Sequence, residues 1–334
     1  MAEALVLTDQ TYAGDVASYM ITRNVVGADT IQKGAIYVEE TIKKKRTIPR
    51  VEVSNLFQKR MATPTSSGNI TVDGRVIQPQ DLMLYLEFNP RDFEAHWYAA
   101  QLNPKLLDAQ LPATAETFIT MQVMKRVNEF FENHIWKGRT MYDIDNGALD
   151  PTTKGGVAGD ANYFYFDGLI YKALSDANTI QVGSPVALTG GAAGNIITQF
   201  QAGYSLVPQA NLYRYGPNGL RLFISYADQQ KYENTLQLLT TFKNQDSTEK
   251  GINRYNGYDV VPLAGLPANT FFWAMGTPDI SSNLWMGINS TEDNELQLAR
   301  LQPNSELFFL KGLFKADVQI GFTDQLVMYT TMTA

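Results

Sequence analysis

The residues that could perform acid–base or metal chemistry are few, and their spacing matches no catalytic motif. The chain has two histidines, His96 and His134, and no cysteine. Without cysteine, disulfides, thiolate zinc sites, iron–sulfur clusters and cysteine nucleophiles are excluded, and two histidines cannot form a three-histidine zinc site. Neither a His-Glu-X-X-His pattern nor a Gly-X-Ser-X-Gly nucleophile turn is present. His134 falls on the apolar side of a predicted helix, which favours a hydrogen-bonded core histidine over a ligand.

The glycine-rich and acidic stretches also lack the spacing of a binding site. GGVAG (155–159) and GGAAGN (190–195) do not match the phosphate-binding patterns and are predicted to be flexible loops. Asp143, Asp145 and Asp150 resemble a calcium loop, but the glycine comes one residue early and the bidentate glutamate is missing. We therefore predict no catalytic, cofactor-binding or metal-binding residue. A hydrolase using Asp and Glu pairs would need carboxylates with a raised pKa converging in a cleft.

Composition narrows the class of protein further. The 334 residues are 44% hydrophobic, which is ample for a substantial core. A net charge of −7 with 27 Lys and Arg argues against tight sequence-specific binding of nucleic acid. The same charge suits a surface that lies beside nucleic acid without binding it tightly. The N-terminal residues lack a basic region followed by an apolar run, so we expect no signal peptide. With no window of about 18 apolar residues, we expect no membrane span.

The longest predicted element is a helix within Ala113–Lys137, unbroken from about Thr114 to Trp136. Pro112 suits its first turn and Gly138 its end. On a helical wheel one broad arc is apolar: Ile119, Val123, Met124, Val127, Phe130, Phe131, His134 and Ile135. A narrow opposite strip is polar: Gln122, Lys125, Arg126, Glu129, Glu132 and Asn133. A helix buried over most of its circumference needs a sheet or other helices along it, and we predict a sheet formed largely by residues 284–331.

The second feature is a long hairpin with no core of its own. Ile48–Phe57 and Ile70–Ile77 have the β-branched content of strands, and a turn-rich stretch lies between them. A third alternating run follows at Leu82–Phe88. We expect 48–88 to project as a two-stranded arm, covered either by its own domain or by a neighbouring molecule. The basic run Lys43–Arg46 just before it favours a solvated loop, with an interaction arm as the alternative.

The remaining pattern predicts an α+β fold, with helices and strands partly segregated. Before the hairpin we expect a helix at 15–26 and extended chain at 35–42. Helices are predicted at 168–178, 196–204 and 225–239. Strands are predicted at 163–166, 220–224, 258–263, 270–275, 284–288, 296–301, 307–320 and 326–331.

This order of features, and several stretches, resemble the major capsid proteins of tailed bacteriophages, which have the Hong Kong 97 fold. RLFISYADQQKY (221–232) resembles the strand and helix of the family's axial domain, and GYDVVPLAGLPANTFFWA (257–274) the strand, Gly-Leu-Pro turn and strand that follow. NLWMGI (283–288) and SELFFLKGLFKADVQIGFTDQLVMY (305–329) resemble the closing strands of the peripheral domain. The likeness covers most of the chain from about residue 45.

The resemblance implies a domain division. Residues 1–47 would be an N-terminal arm, and 48–92 the E-loop hairpin that lies over a neighbouring subunit. Residues 93–180 and 276–334 would form the peripheral (P) domain, with 113–137 as its spine helix. Residues 181–275 would form the axial (A) domain.

The function implied is structural rather than enzymatic. Such a chain self-assembles through pentameric and hexameric capsomers into an icosahedral shell around double-stranded DNA, in the cytoplasm of the host bacterium, and ends up in the virion. The expected partners are further copies, a portal, possible decoration proteins, DNA contacted non-specifically and no membrane. Because the sequence starts directly at an arm, a separate scaffolding protein is expected. No motif assigns the Lys–Asn crosslink of some members.

Assembly contacts are predicted on the arm, the hairpin tip and an acidic stretch. The candidates are Lys43, Lys44, Lys45, Arg46, Thr63, Ser66, Asn69, Glu292 and Asp293. Glu295 is a further acidic partner for the basic run. Exposed ion pairs contribute only about 0–1 kcal/mol each, so apolar burial should dominate association. We assign that burial to Leu5, Val6, Leu7, Ile48, Val51 and Val53.

Two alternatives remain open. An encapsulin-type compartment shell has a similar fold but holds enzymes instead of DNA, and the neighbouring genes would separate the two. A β-rich carbohydrate-binding or tail-associated module would form only a modest oligomer and would have an aromatic-lined groove.

Overall fold

The computed structural model describes residues 10–13, 28–54, 57, 59–63, 68–89, 115–139, 165–209, 219–238, 254–289, 295–302 and 307–332. The helix predicted at 15–26, the calcium-like loop at 143–150 and the acidic residues 292–293 lie outside these ranges. The described elements are mixed α and β, as predicted. The helices are α1 (Asp29–Gln32), α2 (Ala115–Lys137), α3 (Leu169–Ser175), α4 (Ile196–Ser205) and α5 (Tyr226–Leu238).

Strands make up most of the rest of the described fold. They are β1 (Gln10–Ala13), β2 (Tyr37–Glu39), β3 (Arg46–Ser54), β4 (Asn69–Ile77), β5 (Gln80–Phe88), β6 (Ile180–Gln181), β7 (Leu220–Ser225), β8 (Arg254–Tyr255), β9 (Tyr258–Leu263), β10 (Thr270–Met275), β11 (Leu284–Ile288), β12 (Glu295–Arg300), β13 (Phe308–Ile320) and β14 (Val327–Thr330). A 3₁₀ turn covers Thr323–Gln325. The strand predicted at 163–166 is wrong where it can be checked, since 165–166 form a bend.

The first sheet is built around β13, the longest described strand. Its order is β1-β12-β13-β11-β2, and β5 also pairs with β13. All pairs are antiparallel except that of β2 with β11. The β5 pairing runs from Phe308 opposite Phe88 to Ala316 opposite Gln80. The expected projection of all of 48–88 is therefore corrected: only β3 and β4 form the two-stranded arm, while β5 belongs to the body.

The second sheet has the order β6-β14-β10-β7-β9-β8. Between β8 and β9, Asn256 and Gly257 have φ values of 50° and 85°. Such an Asn-Gly pair forms the type I′ turn that joins two strands most tightly. Aromatic rings fill the core beneath this sheet, including Phe200, Phe271 and Trp273. Strand β14, which the domain division assigns to the peripheral segment, lies in this second sheet.

The long helix α2 lies along the first sheet, as predicted. Val127, Phe131 and Ile135, spaced four residues apart, share one core with residues of β11 and β13. The ring of Phe131 lies 5.4 Å from that of Phe314 on β13. The helix ends where the Gly138 amide donates to the His134 carbonyl. No helix within the described ranges is long and apolar enough to cross a membrane.

The segment before the hairpin is part of the body rather than a loose arm. Thr30, Ala35, Ile36 and Ile42 are all buried, and β2 adds to the edge of the first sheet. We refer to residues 28–39 as the strap, because they contact helix α2, the first sheet and the second sheet. Residues 28–42 therefore differ from the single arm expected at 1–47, because they pack on the body.

Candidate assembly surfaces

The β3–β4 hairpin, hereafter the ribbon, is fixed to the body at its base. Ile48 and Ile77 are buried against Trp285 on β11. Ile48 was expected to bury its side chain between subunits, which is corrected here: that side chain is already covered within its own chain. Only two residues join β4 to β5, and the amide of the first, Gln78, donates to the carboxylate of Asp317 at 2.9 Å.

Two ion pairs add to this attachment. Arg50 on β3 pairs with Asp324 at 2.8 Å, and Arg75 on β4 pairs with Asp176 at 2.8 Å. Asp176 follows helix α3, and Asp324 lies in the 3₁₀ turn. The base of the ribbon is thereby held at a defined place on the body.

Beyond its base, the ribbon presents an apolar face to solvent. Val51 and Val72 lie directly opposite each other, and Ile70 lies two residues along β4 on the same face. Their exposed fractions are 59%, 71% and 65%. Val76 on this face is also exposed. The solvent-exposed face of a strand usually has polar residues. Because this face has a row of β-branched apolar side chains instead, it indicates a surface that a partner covers.

The ribbon tip combines an exposed aromatic ring with basic residues. Phe57 is 98% exposed, and Met61 is exposed as well. Lys59 and Arg60 lie between them, both exposed. Of the predicted contact residues, Thr63 and Asn69 are exposed near the tip, and Ser66 lies outside the described residues.

A second uncovered apolar surface is a groove of about 500 Å³ between strand β5 and helix α2. Its aliphatic and aromatic lining comes from Leu82, Met83, Leu84, Tyr85 and Leu86 on β5, Val123, Val127 and Phe130 on α2, and Tyr165 and Phe314. Gln122 and Arg126 supply its polar rim. Met83 is 64% exposed, and Leu86 and Tyr85 are also exposed. The alternation within Leu82–Phe88 predicted extended chain but gave no sign of a groove, because the groove also requires the helix beside that strand.

The basic run divides between the surface and the body. Lys43, Lys44 and Lys45 are exposed in the loop before β3. Arg46 pairs within the chain with Glu39, a mostly buried carboxylate. Arg46 stays a predicted contact that is also paired within its own chain, and Glu292 and Asp293 lie outside the described residues.

Buried polar groups serve the fold. Glu132 was predicted on the polar, solvent-exposed strip of α2. It is instead buried, because the strap crosses that side of the helix. Its carboxylate accepts from the amide of Thr30 at 2.9 Å, the hydroxyl of Thr30 at 2.8 Å and the amide of Gly265 at 2.8 Å. The indole of Trp136 donates to the same hydroxyl at 2.8 Å. One carboxylate thus joins the strap, the long helix and the turn before β10.

His134 is the core histidine that the sequence predicts. It is fully buried, its ring stacks on Phe130 at 4.2 Å, and the Tyr165 amide donates to its Nε2 atom at 3.4 Å. Burial lowers the pKa of His134 to about 4, so the ring is neutral near pH 7. Nowhere in the described ranges do three metal-ligating side chains come together.

Comparison with known proteins finds similar structures but no similar sequence. The sequence matches no protein-family model and no curated protein. A chain of the satellite phage P4 procapsid, in a structure that includes the size determination (Sid) protein, aligns with a TM-score of 0.59 and 9% identity, over 98% of this chain and 92% of that one. A chain from the capsid of a native GTA particle aligns with a TM-score of 0.52 and 11% identity, over 99% and 96%. The chain therefore has the fold of capsid-shell proteins.

Proposed function

We propose that this protein is a structural shell subunit of the Hong Kong 97 type, the major capsid protein of a tailed bacteriophage. It would assemble through pentameric and hexameric capsomers into an icosahedral shell around double-stranded DNA. On this proposal the protein is not an enzyme, and its place is the virion after assembly in the host cytoplasm. The division into arm, E-loop, peripheral and axial domains is part of the same proposal.

One observation supports assembly most directly, namely the ribbon. Its base is buried and ion-paired, while Val51, Ile70 and Val72 remain in solvent. A two-stranded ribbon with an apolar face is marginal alone and prone to aggregation. A fold that fixes such a ribbon in place is suited to a partner that covers it, and in a shell every subunit has such neighbours.

The partners of the proposed shell follow from the same reasoning. A scaffolding protein, a portal and possible decoration proteins would join the homo-oligomer, and DNA would be contacted without sequence preference. The net charge of −7 supports a lining that does not trap packed DNA. An encapsulin-type compartment remains the alternative, because a shell of this fold can enclose enzymes instead.

Negative-stain microscopy of the purified protein, alone and co-expressed with the products of its neighbouring genes, tests the proposal. We expect closed particles of uniform diameter. A chain that stays monomeric at high concentration in both conditions would contradict the proposal. Nucleic acid in the particles favours the phage shell, whereas a co-purifying enzyme favours the compartment.

Removing the ribbon tip separates folding from assembly. Deleting Met61–Asn69 should leave the far-ultraviolet circular dichroism and the unfolding midpoint close to wild type, because the described residues of this segment, 61–63 and 68–69, contribute nothing to the core clusters. Particle yield should fall sharply. Normal particles from the deleted chain would show that the tip is not a contact.

A further inference from the structure

An asparagine followed by a glycine lies in solvent at the turn between β8 and β9. The sequence has three Asn-Gly pairs, and Asn256-Gly257 is the one that lies wholly within the described residues. Both residues are exposed, with φ values of 50° and 85°. We propose that Asn256 is a site of spontaneous modification, at which the Gly257 amide displaces the side-chain nitrogen and the asparagine becomes isoaspartate or aspartate.

The reaction needs only these two residues and water. The Gly257 nitrogen attacks the side-chain carbonyl carbon of Asn256, a carbon–nitrogen bond forms, and the side-chain nitrogen leaves as ammonia. The intermediate is a five-membered succinimide ring. Water then opens the ring at either carbonyl: one opening gives aspartate, and the other moves the main chain onto the side-chain carbon and gives isoaspartate. Nothing is oxidised or reduced, so no further reactant is required.

Both reacting groups are accessible in the folded chain. A Cβ atom placed at Gly257 would meet nothing within 4 Å, so the space beside the attacking nitrogen is open. The hydrogen bond that closes a two-residue hairpin joins the residues that flank the turn, here Tyr255 and Tyr258, and does not use the Gly257 amide. The Asn256 side chain has no hydrogen-bond partner among the described residues. Neither group therefore has to break a contact before it reacts.

The turn must leave its resting geometry for the ring to close, and its position in the fold permits this. β8 has two residues and lies at the edge of the second sheet. Tyr255 and Tyr258 are buried on either side of the turn and hold the hairpin while its tip moves. Local opening costs less free energy than unfolding of the body. The rate of modification is therefore set by the turn rather than by global stability.

Asn269 provides a comparison within the same chain. Its φ value of 62° is similar to that of Asn256. Its side-chain oxygen accepts from the Leu188 amide at 2.8 Å and from the Lys231 ammonium at 3.3 Å. The nitrogen that would attack belongs to Thr270, a buried β-branched residue at the start of β10. Because its side chain is held and the next nitrogen is shielded, Asn269 should not react.

Conversion changes both the charge and the backbone of the hairpin. Either product replaces a neutral amide with a carboxylate, close to the exposed ion pair of Arg254 and Asp259. This adds one negative charge to a chain whose net charge is −7. Isoaspartate also lengthens the main chain by one carbon, which a two-residue type I′ turn does not accommodate. Modified chains should therefore be more acidic and have an altered β8–β9 turn.

Incubation of the folded protein at mildly alkaline pH, in water labelled with heavy oxygen, tests the proposal. The label marks conversion that precedes digestion. The tryptic peptide 255–300 contains both Asn256 and Asn269, so tandem mass spectrometry compares the two sites in one molecule. The matched variant is Gly257→Asn, because asparagine tolerates a positive φ better than most residues and its side chain covers the attacking nitrogen. Circular dichroism verifies that each sample stays folded.

We expect Asn256 to convert at least ~10-fold faster than Asn269, because its turn opens locally, and to give both isoaspartate and aspartate. Gly257→Asn should slow the conversion of Asn256 by a similar factor. Equal rates at the two asparagines would overturn the proposal, as would aspartate without isoaspartate, which indicates direct hydrolysis. Conversion that occurs only in urea would also overturn it. If the variant does not fold, the comparison of Asn256 with Asn269 in the natural chain decides alone.

Discussion

The buried carboxylate of Glu132 gives the sharpest test of how the body is held together. Replacing Glu132 with Ala removes three acceptor contacts and leaves the amides of Thr30 and Gly265 buried without that partner. Each hydrogen bond to a charged group contributes about 1.5–3 kcal/mol, so after partial relaxation we expect a loss of about 3–5 kcal/mol in the free energy of unfolding. Glu132→Gln keeps the shape but turns an amide NH₂ toward the donors, and should lose about 1–3 kcal/mol.

Urea unfolding and amide hydrogen exchange measure this effect in different ways. The Gly265 amide donates directly to Glu132 at 2.8 Å, so its exchange should accelerate in both variants. The matched control is Glu129→Gln, one turn earlier on α2, where the carboxylate is exposed and pairs with Arg126. That change should cost less than about 0.5 kcal/mol. If Glu132→Gln and Glu129→Gln destabilise the protein equally, the strap is not held by the Glu132 carboxylate.

Three further predictions address the core, the pH response and the salt response. Val127→Asp places a charge beneath the groove without a partner and should cost several kcal/mol, so soluble, wild-type-like expression would contradict the packing of α2. Because the folded pKa of His134 is about 4, below its ordinary 6.5, the unfolded chain binds the proton first as pH falls. The free energy of unfolding should therefore decrease by up to about 3 kcal/mol between pH 6.5 and pH 4, with a shallower slope in His134→Gln. Assembled particles should persist from low salt to 1 M salt, because apolar contacts such as those of Val72 contribute more to association than ion pairs do. If light scattering falls to the monomer level at 1 M salt, ion pairs contribute more than apolar contacts.

Local pattern predicted the elements of this fold well. Strands at 258–263, 270–275 and 284–288 are observed with the predicted bounds, and α2 begins and ends within one residue of its expected limits. These segments have periodic apolar residues and clear turn signals at both ends. In each of them the local sequence and the tertiary contacts favour the same conformation.

The errors arose where the outcome depends on residues distant in sequence. The alternation in Leu82–Phe88 specifies a strand but not its partner, and β13 is more than 200 residues away. The helical wheel predicts the side of α2 from which Glu132 projects, but not the residue that it meets. That residue is Thr30, which precedes it by 102 positions in the sequence. The groove likewise exists only because α2 and β5 meet. Contacts between segments that are distant in the sequence do not show in the local hydrophobic periodicity of either segment.

The distribution of polar and apolar groups in this chain supports the proposal that the protein assembles. Within the described residues, carboxylates such as Glu132 and Asp317 are buried and accept hydrogen bonds, while Phe57, Val72 and Met83 are in solvent. A fold selected to stay monomeric would place these apolar side chains inside, since each exposed one forgoes about 1.5–3 kcal/mol of burial. The buried polar contacts fix the ribbon and the strap in one geometry, which lowers the entropy lost on association. A rigidly held apolar surface is what the proposed shell requires, because many copies of one chain would then bind each other in a single arrangement.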